Sequence, residues 1–195
     1  MALPQPCLML VTNLEVAGGE DALVERVAAA VEGGADMVQL REKELDEPAL
    51  TALALRLRAV TAGRALLVVN ESVGGEGLRA ALAAGADGVQ LGERSYGVSA
   101  VRAAAPGLLV GRSVHSFSGA LRAAEQDANY LVAGPVYSTL THPGHPAAGV
   151  HLIADMARSV RTPVIGIGGV EPNNARPVVA AGAAGVAVLR GLLAA

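Results

Sequence analysis

Aromatic side chains are almost missing from this chain of 195 residues: three Tyr, one Phe and no Trp make up 2% of it. Stacking platforms for single-stranded nucleic acid are therefore in short supply. Charge of one sign is lacking too. The formal net charge is −3, which gives no general attraction to nucleic acid or to an anionic membrane. Cysteine occurs once, at Cys7, so an internal disulfide is excluded. Its place in an apolar run reads as a buried, inert thiol, and a cytoplasmic protein is expected. No basic segment followed by a long apolar run opens the sequence, so no signal peptide is expected. No apolar stretch is long and glycine-free enough to span a bilayer.

What is present is aliphatic. Hydrophobic residues reach 52%, and with so few aromatics the core must be built from Val, Leu, Ile and Ala. Short apolar runs at 8–11, 37–41, 65–69, 88–91, 109–113, 130–133, 164–167 and 185–188 read as buried strands. Between them lie helical spacings such as Leu23, Val24, Val27, Val31 and then Leu50, Leu53, Leu57, Val60, with Pro48 near a first turn. A motif recurs. Gly34-Ala35-Asp36-Met37-Val38-Gln39-Leu40 is matched by Gly85-Ala86-Asp87-Gly88-Val89-Gln90-Leu91, and more loosely around Asn129 and Ala184, at steps of 51, 42 and 55 residues. Each step has room for two strand–helix units. Eight alternating units with no linker predict one domain over 1–195, an α/β (β/α)8 TIM barrel. A doubly wound open sheet is the rival architecture.

In such a barrel the chemistry sits at the C-terminal ends of the strands. Strand two delivers Gln39, Arg41 and Lys43, with Gln39 and Arg41 on one face. Arg41 needs an anionic partner, either a ligand or Glu42 or Glu71. Strand three ends in Asn70 and Glu71, and strand five in Arg112, Ser113 and His115. Ser113 or Ser116 also suits a helix N-cap before 117–124, and His115 also suits a plain loop position. The longest loop, 133–149, carries Thr139, Thr141, His142 and His145 among its glycines and prolines, the composition of a lid or binding loop. Its two histidines lack a third convincing ligand, so no metal site is expected there. After strand seven, Gly168 and Gly169 free the backbone. Their amides and those at Leu189 and Arg190, where a last helix over 189–195 begins, form a candidate phosphate cup.

Five motifs, Val38-Gln39-Leu40-Arg41-Glu42-Lys43, Gly85-Ala86-Asp87-Gly88-Val89-Gln90-Leu91-Gly92, Gly111-Arg112-Ser113-Val114-His115-Ser116, Gly134-Pro135-Val136-Tyr137 and Ile167-Gly168-Gly169-Val170, occur in that order. Together they resemble the thiamine-phosphate synthase / TenI superfamily over essentially the whole chain. The resemblance implies a barrel that binds a thiazole phosphate at the glycine cup, with no nucleic-acid or membrane partner; a homo-oligomer is left open. The synthase branch couples hydroxymethylpyrimidine diphosphate to the thiazole phosphate with Mg²⁺. Its Asn-Asp-Arg is here Asn70-Glu71-Ser72, its second metal-binding Asp is Ser95, and its loop Lys is His142. The glutamine-bearing strand four and the Arg112–Ser116 run look more like TenI proteins. That branch includes a metal-free thiazole tautomerase, although one TenI catalytic His is here Pro135. The expectation is accordingly a tautomerase (an isomerase). His142 is the acid–base group in this reading, with His115 as the second candidate. Gln39, Asn70 and Ser113 orient the ring; Arg41, Lys43, Thr139 and Thr141 complete the substrate site. Gly168, Gly169, Leu189 and Arg190 hold the phosphate, and no cofactor is needed. Mg²⁺ enters only under the synthase alternative. A non-catalytic thiazole-phosphate-binding protein is the other rival.

Overall fold

The computed structural model describes residues 3–93, 95–139 and 147–193. Its strands are β1 (Cys7–Val11), β2 (Met37–Leu40), β3 (Leu66–Glu71), β4 (Gly88–Leu91), β5 (Leu109–Val114), β6 (Tyr130–Ala133), β7 (Val164–Ile167) and β8 (Gly185–Val188). All pairs are parallel, and the sheet closes in sequence order, β8 returning to β1. The barrel is closed and the open-sheet rival falls. Helices α1 (Leu14–Ala17), α2 (Glu20–Glu32), α3 (Glu47–Thr61), α4 (Glu76–Ala83), α5 (Val98–Ala104), α6 (Phe117–Glu125), α7 (Gly149–Ser159), α8 (Ala175–Ala180) and α9 (Arg190–Leu193) cover it.

Local chemistry explains most element boundaries. Asp46 caps α3 by accepting from the Ala49 amide, with Pro48 in the first turn. Ser116, not Ser113, caps α6 through the Gly119 amide. The short α1 was not legible from periodicity; Asn13 starts it by accepting from Val16 N–H. Strand β3 runs two residues beyond its expected end, through Asn70 and Glu71, because both keep register with Gln90 and Leu91 of β4.

The recurring motif has a physical role at the N-terminal rim. The Asp36 amide donates to Leu8 O at 2.9 Å, and Leu8 N–H donates back to the Asp36 carboxylate at 2.8 Å. Asp87 closes the same two-bond ring with Leu67, at 2.8 and 2.8 Å, and Asn129 does so with Val110, again at 2.8 and 2.8 Å. At the fourth copy Ala184 keeps only the backbone bond, to Val164 O. Each clamp sets the register of an even strand against the odd strand before it. Asp87 and Asn129 are held in turn by Arg58 and Arg102.

Two apolar layers result. One fills the strand–helix space with Val, Leu, Ile and Ala; the other fills the barrel interior with Met9, Met37, Val68, Tyr130, Val132, Ile165 and Ala187. Cys7 lies in this interior, buried as expected, and burial pushes its thiol up to about 12. Tyr130 is the one large aromatic inside, and it fits because Gly111 opposite has no side chain: a Cβ there would stand 2.2 Å from the ring. Asp87→Ala should cost about 2–4 kcal/mol, since it orphans both the Leu67 amide and the Arg58 guanidinium. Asp87→Asn should cost about 1–2 kcal/mol, because the amide oxygen still serves Leu67. Urea unfolding of the two variants checks the order.

Candidate functional site

Strand alternation decides what reaches the barrel mouth. Gln39 follows Met37 by two residues and Asn70 follows Val68 by two, so both side chains turn inward. They meet there: Gln39 Nε2 donates to Asn70 Oδ1 at 3.2 Å. Gln90 and Ser113 form the neighbouring pair, with Gln90 Nε2 donating to Ser113 Oγ at 3.0 Å. The four side chains come from adjacent strands β2 to β5 and form a polar floor above the aliphatic interior. Gln90 is not among the candidate site residues read from the sequence. The signal that identifies it is the repeat itself, in which Gln90 stands where Gln39 does. Its Oε1 is buried with no partner among the described residues and would lie 2.2 Å from a Cβ at Gly111, so only glycine leaves it room.

Arg41 follows the end of β2, half-buried, and its guanidinium pairs with no carboxylate among the described residues. Burial lowers its pKa and the nearby Glu42 raises it again. Glu42 is spent elsewhere. Its carboxylate accepts from Thr12 Oγ1 at 2.6 Å and from Leu14 N–H at 3.1 Å, and burial pushes its pKa up against those bonds. Glu71 is spent too, fully buried on the outer side of β3 against α4. Neither acid serves as the partner of Arg41. Lys43 is exposed and Thr139 half-buried. Arg112 points outward and fastens the β4–α5 loop through Tyr96 O and Glu93 O, at 2.8 and 2.9 Å.

At the opposite wall, Gly168 and Gly169 have φ of 96° and 64°. Their backbone oxygens are engaged: Tyr137 N–H donates to Gly168 O and Asn174 Nδ2 to Gly169 O, each at 2.9 Å. The pairing of Ile167 with Ala187 commits the Gly168 amide to β8, while the amides of Gly169, Leu189 and Arg190 donate to no backbone acceptor among the described residues. Arg190, at the start of α9, is exposed. The last helix extends over Arg190–Leu193 among the described residues, shorter than the expected 189–195.

His115 is exposed, with Nδ1 placed 2.6 Å from Gly134 O. That contact makes Nδ1 the protonated nitrogen and ties the end of β5 to the end of β6, the plain loop role weighed above. His142, Thr141 and His145 lie outside the described residues.

A family model described as thiamine monophosphate synthase matches residues 8–192. The thiamine-phosphate synthase of Gloeobacter violaceus is 41% identical over 175 residues, covering 89% of this chain and 50% of that protein, so the chain spans half the length of that relative. The thiamine-phosphate synthase of Albidiferax ferrireducens is 39% identical over 191 residues, covering 96% of this chain and 84% of that one. The solved structure of thiamine phosphate pyrophosphorylase from Pyrococcus furiosus superposes with a TM-score of 0.85 at 34% identity, covering 97% of this chain and 88% of the other.

These relatives overturn the expected tautomerase, and with it the isomerase class. The relatives carry the synthase name over most of the chain, which favours the alternative reading. The tautomerase expectation leaned on departures at 71, 95 and 142 and on two short runs, 89–91 and 111–116, whereas the kinship is spread over the whole barrel. For the glycine cup, the structure predicts that Gly169→Ala is destabilising by about 2–3 kcal/mol, since it adds left-handed strain to a contact of 2.6 Å with Ser138 O. Thermal unfolding of the variant measures it, and a wild-type melting temperature would refute the strain.

Proposed function

Because the chain belongs to the thiamine monophosphate synthase family, we propose that it is a transferase that couples hydroxymethylpyrimidine diphosphate to a thiazole phosphate. The observation that carries this reading is the 39% identity across 96% of the chain to a protein of that name. In the reaction the thiazole ring nitrogen supplies its lone pair to the pyrimidine methylene carbon. The bond from that carbon to the diphosphate oxygen breaks, and its electron pair leaves on pyrophosphate. No proton has to be removed from either partner, so the chemistry asks for no catalytic histidine. It asks for two anion sites and a floor that aligns two flat rings.

The turn at Gly168 and Gly169 and the amides of Gly169, Leu189 and Arg190, with the Arg190 guanidinium, suit the thiazole phosphate. Gln39, Asn70 and Ser113 orient the rings, with Gln90 holding Ser113. Arg41, lacking a carboxylate partner at the mouth, and Lys43 meet the diphosphate and the charge that develops on it, with Thr139 as a further candidate contact. A location in the cytoplasm belongs to this proposal, in keeping with the lack, among the described residues, of a helix long and apolar enough to cross a membrane.

Mg²⁺ is implied by the family's chemistry, but the described donors do not fit it. The ion takes oxygen ligands, usually one or two carboxylates with substrate phosphates. Glu71 already accepts from Gly75 N–H, Leu78 N–H and Tyr96 OH, and Ser95 Oγ donates to Glu71 O. No group of three or more His, Cys, Asp or Glu that could hold an ion exists among the described residues.

Incubation of the purified protein with both substrates should yield thiamine phosphate and pyrophosphate in equal amounts. Tight thiazole phosphate binding with no coupled product would reject the transferase reading in favour of a binding protein. Arg190→Ala should weaken thiazole phosphate binding by roughly 10-fold or more, as expected for one charge-assisted contact. Arg41→Ala should leave that affinity unchanged while lowering the coupling rate by about 10²-fold.

A further inference from the structure

Glu71 occupies the position of a metal-binding carboxylate in the resembling synthases, yet it is 0% exposed. By alternation it turns away from the inward-facing Asn70 and enters the layer between β3 and α4. There Oε1 accepts from Gly75 N–H at 3.1 Å and from Tyr96 OH at 3.2 Å, and Oε2 accepts from Leu78 N–H at 2.6 Å. Gly75 is the N-cap of α4 and has no side-chain acceptor of its own to offer. The carboxylate of Glu71 thus supplies, from the preceding strand, the acceptor that a Ser or Asp cap would normally provide.

The surrounding sequence is built for this contact. Gly77, in the first turn of α4, sits so close to β3 that a Cβ would stand 2.2 Å from Asn70 O. Only glycine lets the helix start press against the strand end, and that closeness brings two amides within reach of a glutamate on β3. Tyr96 and Ser95 reach the same residue from the β4–α5 loop, Tyr96 at the carboxylate and Ser95 at the backbone oxygen. One residue therefore joins the loop after β3, the start of α4 and the loop after β4. Three N–H or O–H donors present positive charge to its two oxygens, which is the opposite of what an incoming cation needs.

We propose that Glu71 is the N-terminal cap of α4 and the tie between the β3–α4 and β4–α5 loops, and that it is not a metal ligand, so that this chain binds pyrophosphate without a divalent ion at the 71/95 position. The proposal rests on the family reading for its choice of ligand and on the hydrogen bonds of Glu71 for its content.

The test compares wild type with Glu71→Gln, both shown to be folded by circular dichroism. Melting temperature is read for each, together with Mn²⁺ affinity of the pyrophosphate-loaded protein by electron paramagnetic resonance. Glu71→Gln should melt lower by about 4–8 °C, because the amide can no longer accept as a carboxylate does. Mn²⁺ affinity should stay within about twofold of wild type. A loss of Mn²⁺ affinity of tenfold or more in the folded variant overturns the proposal, whatever its melting shift. An unchanged melting temperature overturns the capping role. If neither protein binds pyrophosphate, the transferase reading fails, while the melting shift alone still decides whether Glu71 is the cap.

Discussion

The barrel depends on a two-bond ring made at the start of three of its four even strands, β2, β4 and β6. In a parallel sheet of short strands, nothing in an aliphatic side chain distinguishes one register from a slip of two residues, since both bury the same face. Asp36, Asp87 and Asn129 remove that ambiguity. Each fixes one residue of the preceding strand by both its amide and its carbonyl. Once the register is set at the N-terminal rim, the position of the side chains three residues further on is set as well. The Gln39–Asn70 and Gln90–Ser113 pairs at the mouth are a consequence of clamps at the opposite end.

The same geometry divides charge from neutrality at the mouth. Inward-facing positions on β2 to β5 carry amides and a hydroxyl, which can hydrogen-bond flat heterocycles without introducing charge into the interior. Charged groups stand after the strand ends or turn outward. Glu42 and Glu71 are consumed by helix starts, at α1 and α4. Arg112 is consumed by the β4–α5 loop. Arg41 after β2 and Arg190 after β8, on strand ends separated by β1, have no carboxylate partner among the described residues. Two such cations beside a neutral polar floor suit substrates that carry phosphate groups, in keeping with the transferase reading.

Glycine placement ties these features together. Gly111 admits the Tyr130 ring and the Gln90 oxygen, Gly77 admits the α4 start, and Gly168 and Gly169 admit the 135–138 segment, which a Cβ at either glycine would meet at 2.6–2.8 Å. In a chain with so few aromatics, close backbone approach takes the place of bulky filler. The cup glycines have two physical reasons to be there, a positive φ and the lack of space for a side chain, in addition to any role in phosphate binding.

Composition and periodicity alone determined the architecture. Apolar runs of four or five residues, alternating with helical spacings in eight even units, favour a closed parallel barrel over an open sheet, and all eight strands stand within two residues of where the runs put them. The repeat was legible too, although its meaning as a register clamp was not, because a side-chain-to-backbone bond across 28 residues leaves no local pattern. Asn70 and Ser113 were legible as strand ends and Gln39 by alternation, but that the three side chains meet inside the barrel mouth was not. The tertiary structure decided how the charges were used: that Glu42 and Glu71 serve helix starts while Arg41 stays without a carboxylate partner, that Ser116 rather than Ser113 is the cap, that His115 ties two strand ends. Those outcomes depend on which backbone amides lie within 3 Å of a side chain's reach, and that is set only when the whole barrel has closed.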